Sequence, residues 1–267
     1  MPRRPWMVAE SLWPHVRETP WEVAVLPWGA TEPHNHHLPY GTDTVESERI
    51  AAEAGRLAWE AGARVAVLPT VPFGANAGQV AFPLTVDLRP STQAALLGDV
   101  AASLERQGIR RLVLLNGHGG NEFRSAIREL QATSPVLICL VDWFRIPVEE
   151  DLFVDAGDHA GELETSLMLH VAPELVAPLE EAGSGRPRSF TVAGLREGWA
   201  WTPRDWEKAT EDTGSGDPAP ATEEKGLRYF RTVTRRIASF LVELARTDPE
   251  RLYADVERPP RVRRGRR

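Results

Sequence analysis

The sequence of 267 residues lacks the marks of several classes of protein. It has one cysteine, Cys139, so an internal disulfide is excluded and a reducing compartment fits best. The segment MPRRPWMVAES at the start has no apolar run of the signal-peptide kind, and no apolar run elsewhere reaches membrane-spanning length. These absences predict a cytoplasmic protein that does not bind a membrane.

The chain also lacks an excess of basic residues. Its 31 Lys and Arg residues stand against 38 Asp and Glu residues, and the resulting net charge of −7 argues against a nucleic-acid partner. The exception is RPPRVRRGRR at 258–267, which we predict to be a disordered basic tail. The remainder is long enough to bury a substantial core, and its 42% hydrophobic content is typical of globular proteins.

Short apolar runs alternate with longer amphipathic segments. Runs of this length that are bounded by Pro or Gly are typical of strands buried on both faces, and they lie at 22–27, 63–69, 111–117 and 135–142. Helical patterns cover about 44–62, 91–107, 121–132, 160–171 and 222–246, and Thr222 can cap the last of them. This alternation predicts an α/β fold with a mostly parallel sheet between layers of helices.

Residues 183–221 differ from the rest because they are rich in Gly, Pro, Trp and charged residues. Disordered segments are poor in aromatic residues, so Trp199, Trp201 and Trp206 favour an ordered segment. Long irregular loops in compact domains are usually functional. We therefore predict an ordered loop near a site.

Three polar segments are expected to meet at one edge of the sheet. GATEPHNHHLPYGTD (29–43) follows the first predicted strand and NGHGGNE (116–122) follows the third. DHAGELETS (158–166) lies where a loop becomes a helix. Ligands bind beyond the carboxyl ends of parallel strands, so these segments predict a site.

The chemistry of these segments indicates metal binding. A single histidine is more often a structural residue, but Glu32, Asp43 and Glu164 would repel one another if they were buried together without a cation. Histidine and carboxylate ligands without thiolates suit zinc, manganese or iron(II), and a bridging aspartate can hold two metal ions. The sequence therefore predicts a metal centre.

The motifs LPWGATEPHNHHLPYGTDT, NGHGGN and HAGELETS, with the weaker GDPAPATEEKG, resemble the creatininase family. The resemblance covers residues 26–226. It implies one creatininase-like domain at 1–257, a three-layer α/β sandwich and a homohexamer. It also implies a binuclear metal hydrolase that acts on carbon–nitrogen bonds of cyclic or formyl amides.

The resemblance also implies roles for individual residues. The metal ligands that match are Glu32, His34, Asp43 and His118, with Asp43 as the bridge. A catalytic role near the scissile bond falls to His159, with Asp158 as a second proton donor, and His37 contacts substrate or supports a ligand. Creatininase has a glutamate where this chain has Gly120, so we expect Glu164, or as a weaker alternative Glu122, to complete the second metal site.

Departures from the family pattern bear on the substrate. Gln79 stands at a family histidine, Leu84 at a glycine, and Asp155 at the tryptophan that closes over creatinine. These departures predict that creatinine is a poor substrate. Aromatic residues that could close the site instead are Trp28, Trp143, Trp199 and Trp201, and an acidic substrate group could bind Arg186, Arg188 or Arg196.

The predicted function is hydrolysis of a small cyclic amide, lactam or formamide by a hydroxide held between two divalent ions. Zinc is the first expectation, with manganese or iron(II) as alternatives. Two other functions stay open. One is a hydrolase for a formamidopyrimidine or a modified peptide in a cofactor pathway, and the other is a protein that binds a metal or metabolite without catalysis.

Overall fold

The computed structural model describes residues 4–254, so the predicted basic tail at 258–267 lies outside the described residues. Four parallel strands form one sheet in the order β2-β1-β3-β4. The strands are β1 (Val23–Trp28), β2 (Val65–Val67), β3 (Arg111–Asn116) and β4 (Leu137–Asp142). All four predicted strands are thus present, and the prediction of a parallel sheet is confirmed.

Helices occupy the five regions where the sequence predicts them. These are α2 (Thr42–Glu60), α3 (Pro90–Arg106), α4 (Phe123–Gln131), α5 (Glu162–Val171) and α8 (Glu223–Arg246). The Thr222 side chain accepts a hydrogen bond from the Lys225 backbone N–H, so it caps α8 as predicted. Shorter helices are α1 (Trp13–Glu18), α6 (Ala193–Arg196) and α7 (Trp206–Ala209), and 3₁₀ turns lie at Val8–Glu10, Trp143–Arg145, Pro173–Leu175, Leu179–Glu181 and Pro249–Arg251.

The sheet is covered on both faces, which makes the fold a three-layer sandwich. Successive side chains of a strand point to opposite faces, so Val25 and Leu26 enter different cores. One core joins Val25 to Ile50 of α2 and Leu241 of α8. The other joins Leu26 to Leu97 of α3 and Phe123 of α4.

The loop at 183–221 is attached to the loop that follows β1. The Asn35 side chain donates to the Gly183 carbonyl at 3.2 Å and accepts from the Gly183 N–H at 2.7 Å. The Asn35 N–H donates to Thr213 Oγ1 at 2.9 Å, and His159 forms an antiparallel bridge with Ser215. These contacts explain why the long loop is an ordered part of the fold. No helix within residues 4–254 has both the length and the apolar character needed to cross a membrane.

Candidate metal centre

The histidines and carboxylates of the three predicted polar segments meet in the structure. They form three overlapping groups, in each of which one ligand atom per residue lies within 4.8 Å of the others. The groups are Glu32, His34 and His159; Glu32, Asp43 and His118; and His34, Asp43 and Glu164. The loops after β1 and β3 and the start of α5 thus converge on one site.

Asp43 lies between two imidazoles and faces each with a different oxygen. Its Oδ1 is 2.9 Å from His34 Nε2, and its Oδ2 is 3.0 Å from His118 Nδ1. Glu32 Oε1 is also 2.9 Å from His118 Nδ1. All four of these residues are buried. Asp43 lies in the first turn of α2, so its backbone is fixed by the helix, and the carboxylate lies between the two halves of the cluster.

Backbone carbonyls set the orientation of three imidazoles. His34 Nδ1–H donates to the Glu32 carbonyl at 3.0 Å, His118 Nε2–H to Ala75 at 3.1 Å, and His159 Nε2–H to Pro33 at 2.8 Å. A carbonyl oxygen can only accept, so the nitrogen that faces it carries a proton. The other ring nitrogen of each histidine faces the carboxylates, which is how proteins orient metal-binding histidines.

Protons take up the negative charge of this cluster when no cation is bound. Burial lowers the pKa of His34, but the carboxylates of Asp43, Glu164 and Glu32 outweigh burial and raise this pKa to about 9. The same balance raises the pKa of His118 well above its usual value. Burial also opposes ionisation of Asp43, yet the two imidazoles hold its pKa well below the usual range. Two positive charges are therefore stabilised next to these carboxylates.

The donor set fits divalent cations. Both carboxylate oxygens of Glu32 and Oδ2 of Asp43 are buried and have no well-aligned hydrogen-bond donor within residues 4–254. Such an atom is costly unless a cation or a proton faces it. Imidazole nitrogens and carboxylate oxygens without thiolates suit zinc and also manganese or iron. The residues present therefore fit the predicted metal ions.

The structure separates the two candidates for the remaining carboxylate. Glu164 lies with His34 and Asp43, and its Oε2 accepts a hydrogen bond from the Ala160 N–H. Glu122 is exposed at the start of α4 and belongs to none of the three groups. A Cβ at Gly120 would lie 2.5 Å from His118 Nε2, so the present position of His118 leaves no room for a side chain there. The geometry favours Glu164.

Replacing Glu164 with Gln is expected to remove one metal ion, because the amide has no negative charge and offers one acceptor fewer. Glu122→Gln is the matched control and should leave metal content unchanged, since its side chain faces solvent. Elemental analysis of both variants, purified without chelators, measures the difference. If Glu122→Gln lost the ion and Glu164→Gln kept it, the assignment would be reversed.

A buried carboxyl next to the cluster, Glu46, was not predicted. Both of its oxygens lack a hydrogen-bond partner within the described part of the chain. Burial, and after it the charges of Glu164 and Asp43, raise its pKa well above the usual value. The signal in the sequence is its spacing from Asp43 and Ile50, which places Glu46 on the inner face of α2.

His37 lies beside the cluster and belongs to none of the three groups. Its Nε2 is 2.8 Å from Thr165 Oγ1, and its backbone carbonyl accepts from the Ala177 N–H. Burial, together with the charges of His34 and His36, lowers its pKa to about 4. His37 is therefore neutral near pH 7 and links the loop after β1 to α5. Its predicted role, to contact substrate or to support a ligand, stays a prediction.

The aromatic residue that contacts the site is one that the sequence did not single out for this role. Trp28 and Trp143 are fully buried in the core, and Trp199 and Trp201 are 77% and 84% exposed. Instead, the ring of Trp206 lies edge-on against His159, with 4.9 Å between the ring centroids. Asp158 belongs to none of the three groups and pairs with Arg204, with 2.9 Å between its Oδ2 and Nη1 of the arginine. The side chain of Asp155 is exposed.

The chain is similar to known proteins over most of its length. The family model described as "Creatininase: Creatinine amidohydrolase" matches residues 9–241. A mycofactocin precursor peptide peptidase from Mycolicibacterium smegmatis is 31% identical over 239 residues, which are 86% of this chain and 87% of the relative.

Two solved structures extend the comparison to the fold. A creatinine amidohydrolase homologue from Bacteroides fragilis is 45% identical, with a TM-score of 0.87 over 94% of this chain and 99% of its own. A mutant creatininase of Zn–Zn type is 26% identical, with a TM-score of 0.72 over 90% of this chain and 98% of its own. The predicted three-layer α/β fold is therefore shared with creatininases.

Proposed function

The chain belongs to the creatininase family, and we propose that it is a metal-dependent amidohydrolase that cleaves a carbon–nitrogen bond. The observation that carries the proposal is the placement of Asp43 between the imidazoles of His34 and His118. A carboxylate whose two oxygens face two separate sets of ligands suits a pair of cations. The site is also built from the three segments that carry the resemblance to the family.

Two overlapping groups of residues would hold the metal ions. Glu32, Asp43 and His118 would bind one, and His34, Asp43 and Glu164 the other. When bound, two divalent ions supply an acidified water as nucleophile near neutral pH and polarise a carbonyl oxygen. Zinc is our first expectation because a structural relative is of Zn–Zn type, and manganese and iron(II) use the same ligands.

The residues beside the metal ligands would handle the protons. His159 Nδ1 is 3.8 Å from Glu32 Oε1 and faces the cluster. Because Nε2 holds its proton on the Pro33 carbonyl, Nδ1 would accept a proton from the attacking water and pass it to the leaving nitrogen. The hydrogen bond to Pro33 also holds the ring in place. Asp158, whose side chain is 65% exposed, could return protons from solvent. His37 stays neutral and supports α5 through Thr165.

The substrate is a small cyclic amide, a lactam or a formamide, and creatinine is a poor one. Trp206 covers His159 from the loop at 183–221, and this loop is long enough to select among substrates. A modified peptide is the second candidate, favoured by the similarity to a mycofactocin precursor peptide peptidase.

The homohexamer, the single domain at 1–257 and the cytoplasmic location remain proposals that rest on the resemblance and on composition.

We expect about two divalent ions per chain in protein purified without chelators, and ring opening or deformylation by the metal-loaded enzyme. Elemental analysis gives the metal ratio, and mass spectrometry of a panel of lactams, formamides and modified peptides gives the reaction. Chelator-treated protein is the control and should be inactive until metal is restored. A ratio below about one would contradict the two-ion site, and metal-loaded protein that cleaves no compound would favour a binding protein.

A further inference from the structure

We propose that Arg204 determines the substrate specificity of this site and that the substrate carries a carboxylate close to the bond that is cleaved. The inference rests on the proposed amidohydrolase function and names its substrate class. It depends on the position of Arg204, on what holds it there and on the donors that it leaves unused.

Arg204 is connected to the metal centre by two ring contacts. Its guanidinium carbon lies 4.6 Å from the centroid of the Trp206 ring, and the Trp206 ring lies 4.9 Å from that of His159. His159 Nδ1 in turn lies 3.8 Å from Glu32 Oε1. A cation above an aromatic face is attracted by the ring and keeps one orientation. The guanidinium is therefore held at the rim of the centre, beyond His159.

Backbone contacts hold the segment that carries Arg204. The Trp206 N–H donates to the Gly78 carbonyl at 3.1 Å. A Cβ at Gly78 would clash with the Arg204 carbonyl, so the close approach of the two loops requires a glycine at 78. Gln79, the next residue, is buried, and its Oε1 has no hydrogen-bond partner within residues 4–254. The loop in contact with Arg204 thus also contains an acceptor without a donor, Gln79 Oε1, which could accept from an amide N–H of the substrate.

Within the described part of the chain, most of the donors of Arg204 have no acceptor. Its one ion pair within the described residues is with Asp158, at 2.9 Å between Nη1 and Oδ2, and Nη1 is buried without a well-aligned hydrogen bond. A guanidinium has five N–H donors, and two of them match the oxygens of a carboxylate. The Asp158 side chain is 65% exposed, so the pair is weak and a ligand can compete for it at little cost.

Other arginines of the loop are less suited to this role. Arg188 pairs with Glu211 at 2.7 Å and donates to the Lys208 carbonyl, and Arg196 donates to two carbonyls of its own loop. Arg186 lines a cavity of about 250 Å³ together with Arg188, but Glu211 and Asp212 line the same cavity and offset the two positive charges. Of these arginines, Arg204 is the one joined to His159 through an aromatic ring.

Two matched pairs of probes test the proposal. Pyroglutamate differs from 2-pyrrolidinone by a carboxylate on the same lactam ring, and N-formylglycine differs likewise from N-methylformamide. Dissociation constants are measured by NMR titration of the full chain, both metal-free and metal-loaded, and kcat/KM is measured on the loaded enzyme. We expect the acid of each pair to be preferred by roughly 10- to 200-fold, the range for one discriminating contact.

Arg204→Gln should remove this preference and leave the dissociation constants of the neutral probes unchanged, while Arg204→Lys should keep part of the preference because the charge remains. Arg188→Gln is the matched control from the same loop and should behave like the wild type. The inference is overturned if the wild type shows no preference for the acids, if no probe binds, or if Arg204→Gln keeps the preference. It is also overturned if Arg188→Gln removes the preference.

Binding to the metal-free protein separates this inference from the proposed function. If the acids bind through Arg204 but the loaded enzyme cleaves no amide, the specificity site stands and the amidohydrolase proposal fails. If neutral amides are cleaved and Arg204→Gln has no effect on any acid, the amidohydrolase stands and the role of Arg204 is wrong.

Discussion

Asp43→Asn is expected to empty the metal centre and to abolish hydrolysis. Asp43 belongs both to the group with His118 and to the group with His34 and Glu164, so its loss weakens both metal sites. The amide removes one negative charge and turns one of two acceptors into a donor. We expect fewer than about 0.5 ions per chain and a fall in kcat/KM of at least about 10³-fold, or about 4 kcal/mol of transition-state stabilisation.

Elemental analysis and kinetics on the substrate found in the screen measure this effect, and circular dichroism checks that the variant folds. Asp142→Asn is the matched control. Asp142 ends β4 at the same edge of the sheet, but it accepts from the Asn116 side chain and lies outside the three groups. The Asp142→Asn variant should therefore keep both metal ions. Two ions retained by Asp43→Asn would rule out a bridging role.

The fold could be predicted because its signals are local. Each strand is a short apolar run that ends at Pro, Gly or a polar residue, and each long helix has one apolar face. The errors lie at the ends: the run at 63–69 contains only the three-residue strand Val65–Val67, while α2 begins at Thr42, two residues before its predicted start. Such boundaries depend on hydrogen bonds to neighbouring elements, and the periodicity of apolar residues gives no information about those bonds.

The site was predictable where several His and carboxylate residues follow strand ends, and not where contacts join distant segments. The sequence favoured Glu164 and left Glu122, which is close to Gly120 in the sequence, as the weaker alternative. The structure separates them, since Glu164 turns back to the Ala160 N–H while Glu122 is exposed. Trp206 reaches His159, 47 positions away in the sequence, because its loop is held by Asn35 and by the bridge between Ser215 and His159.

Metal-free protein is expected to lose stability as the pH rises from about 6.5 to about 9, while the metal-loaded protein is not. The folded protein raises the pKa of His34 to about 9, because nearby carboxylates outweigh burial. A raised folded pKa gives stability that is complete below the unfolded value of about 6.5 and is lost as the pH rises through 9. Integrated over that interval, the loss from this group alone is at most about 3 kcal/mol.

The same proton governs metal binding. An ion needs the lone pair on His34 Nε2, so binding displaces the proton and the metal affinity should rise by about tenfold per pH unit for each proton released, up to about pH 9. Denaturant unfolding of both forms, and metal competition titrations from pH 6.5 to 9, measure the two trends. His34→Gln is the control, because metal-free His34→Gln should lack the part of the loss that His34 causes. Metal-free protein whose stability stayed constant over this interval would show that the carboxylates do not hold a proton on His34.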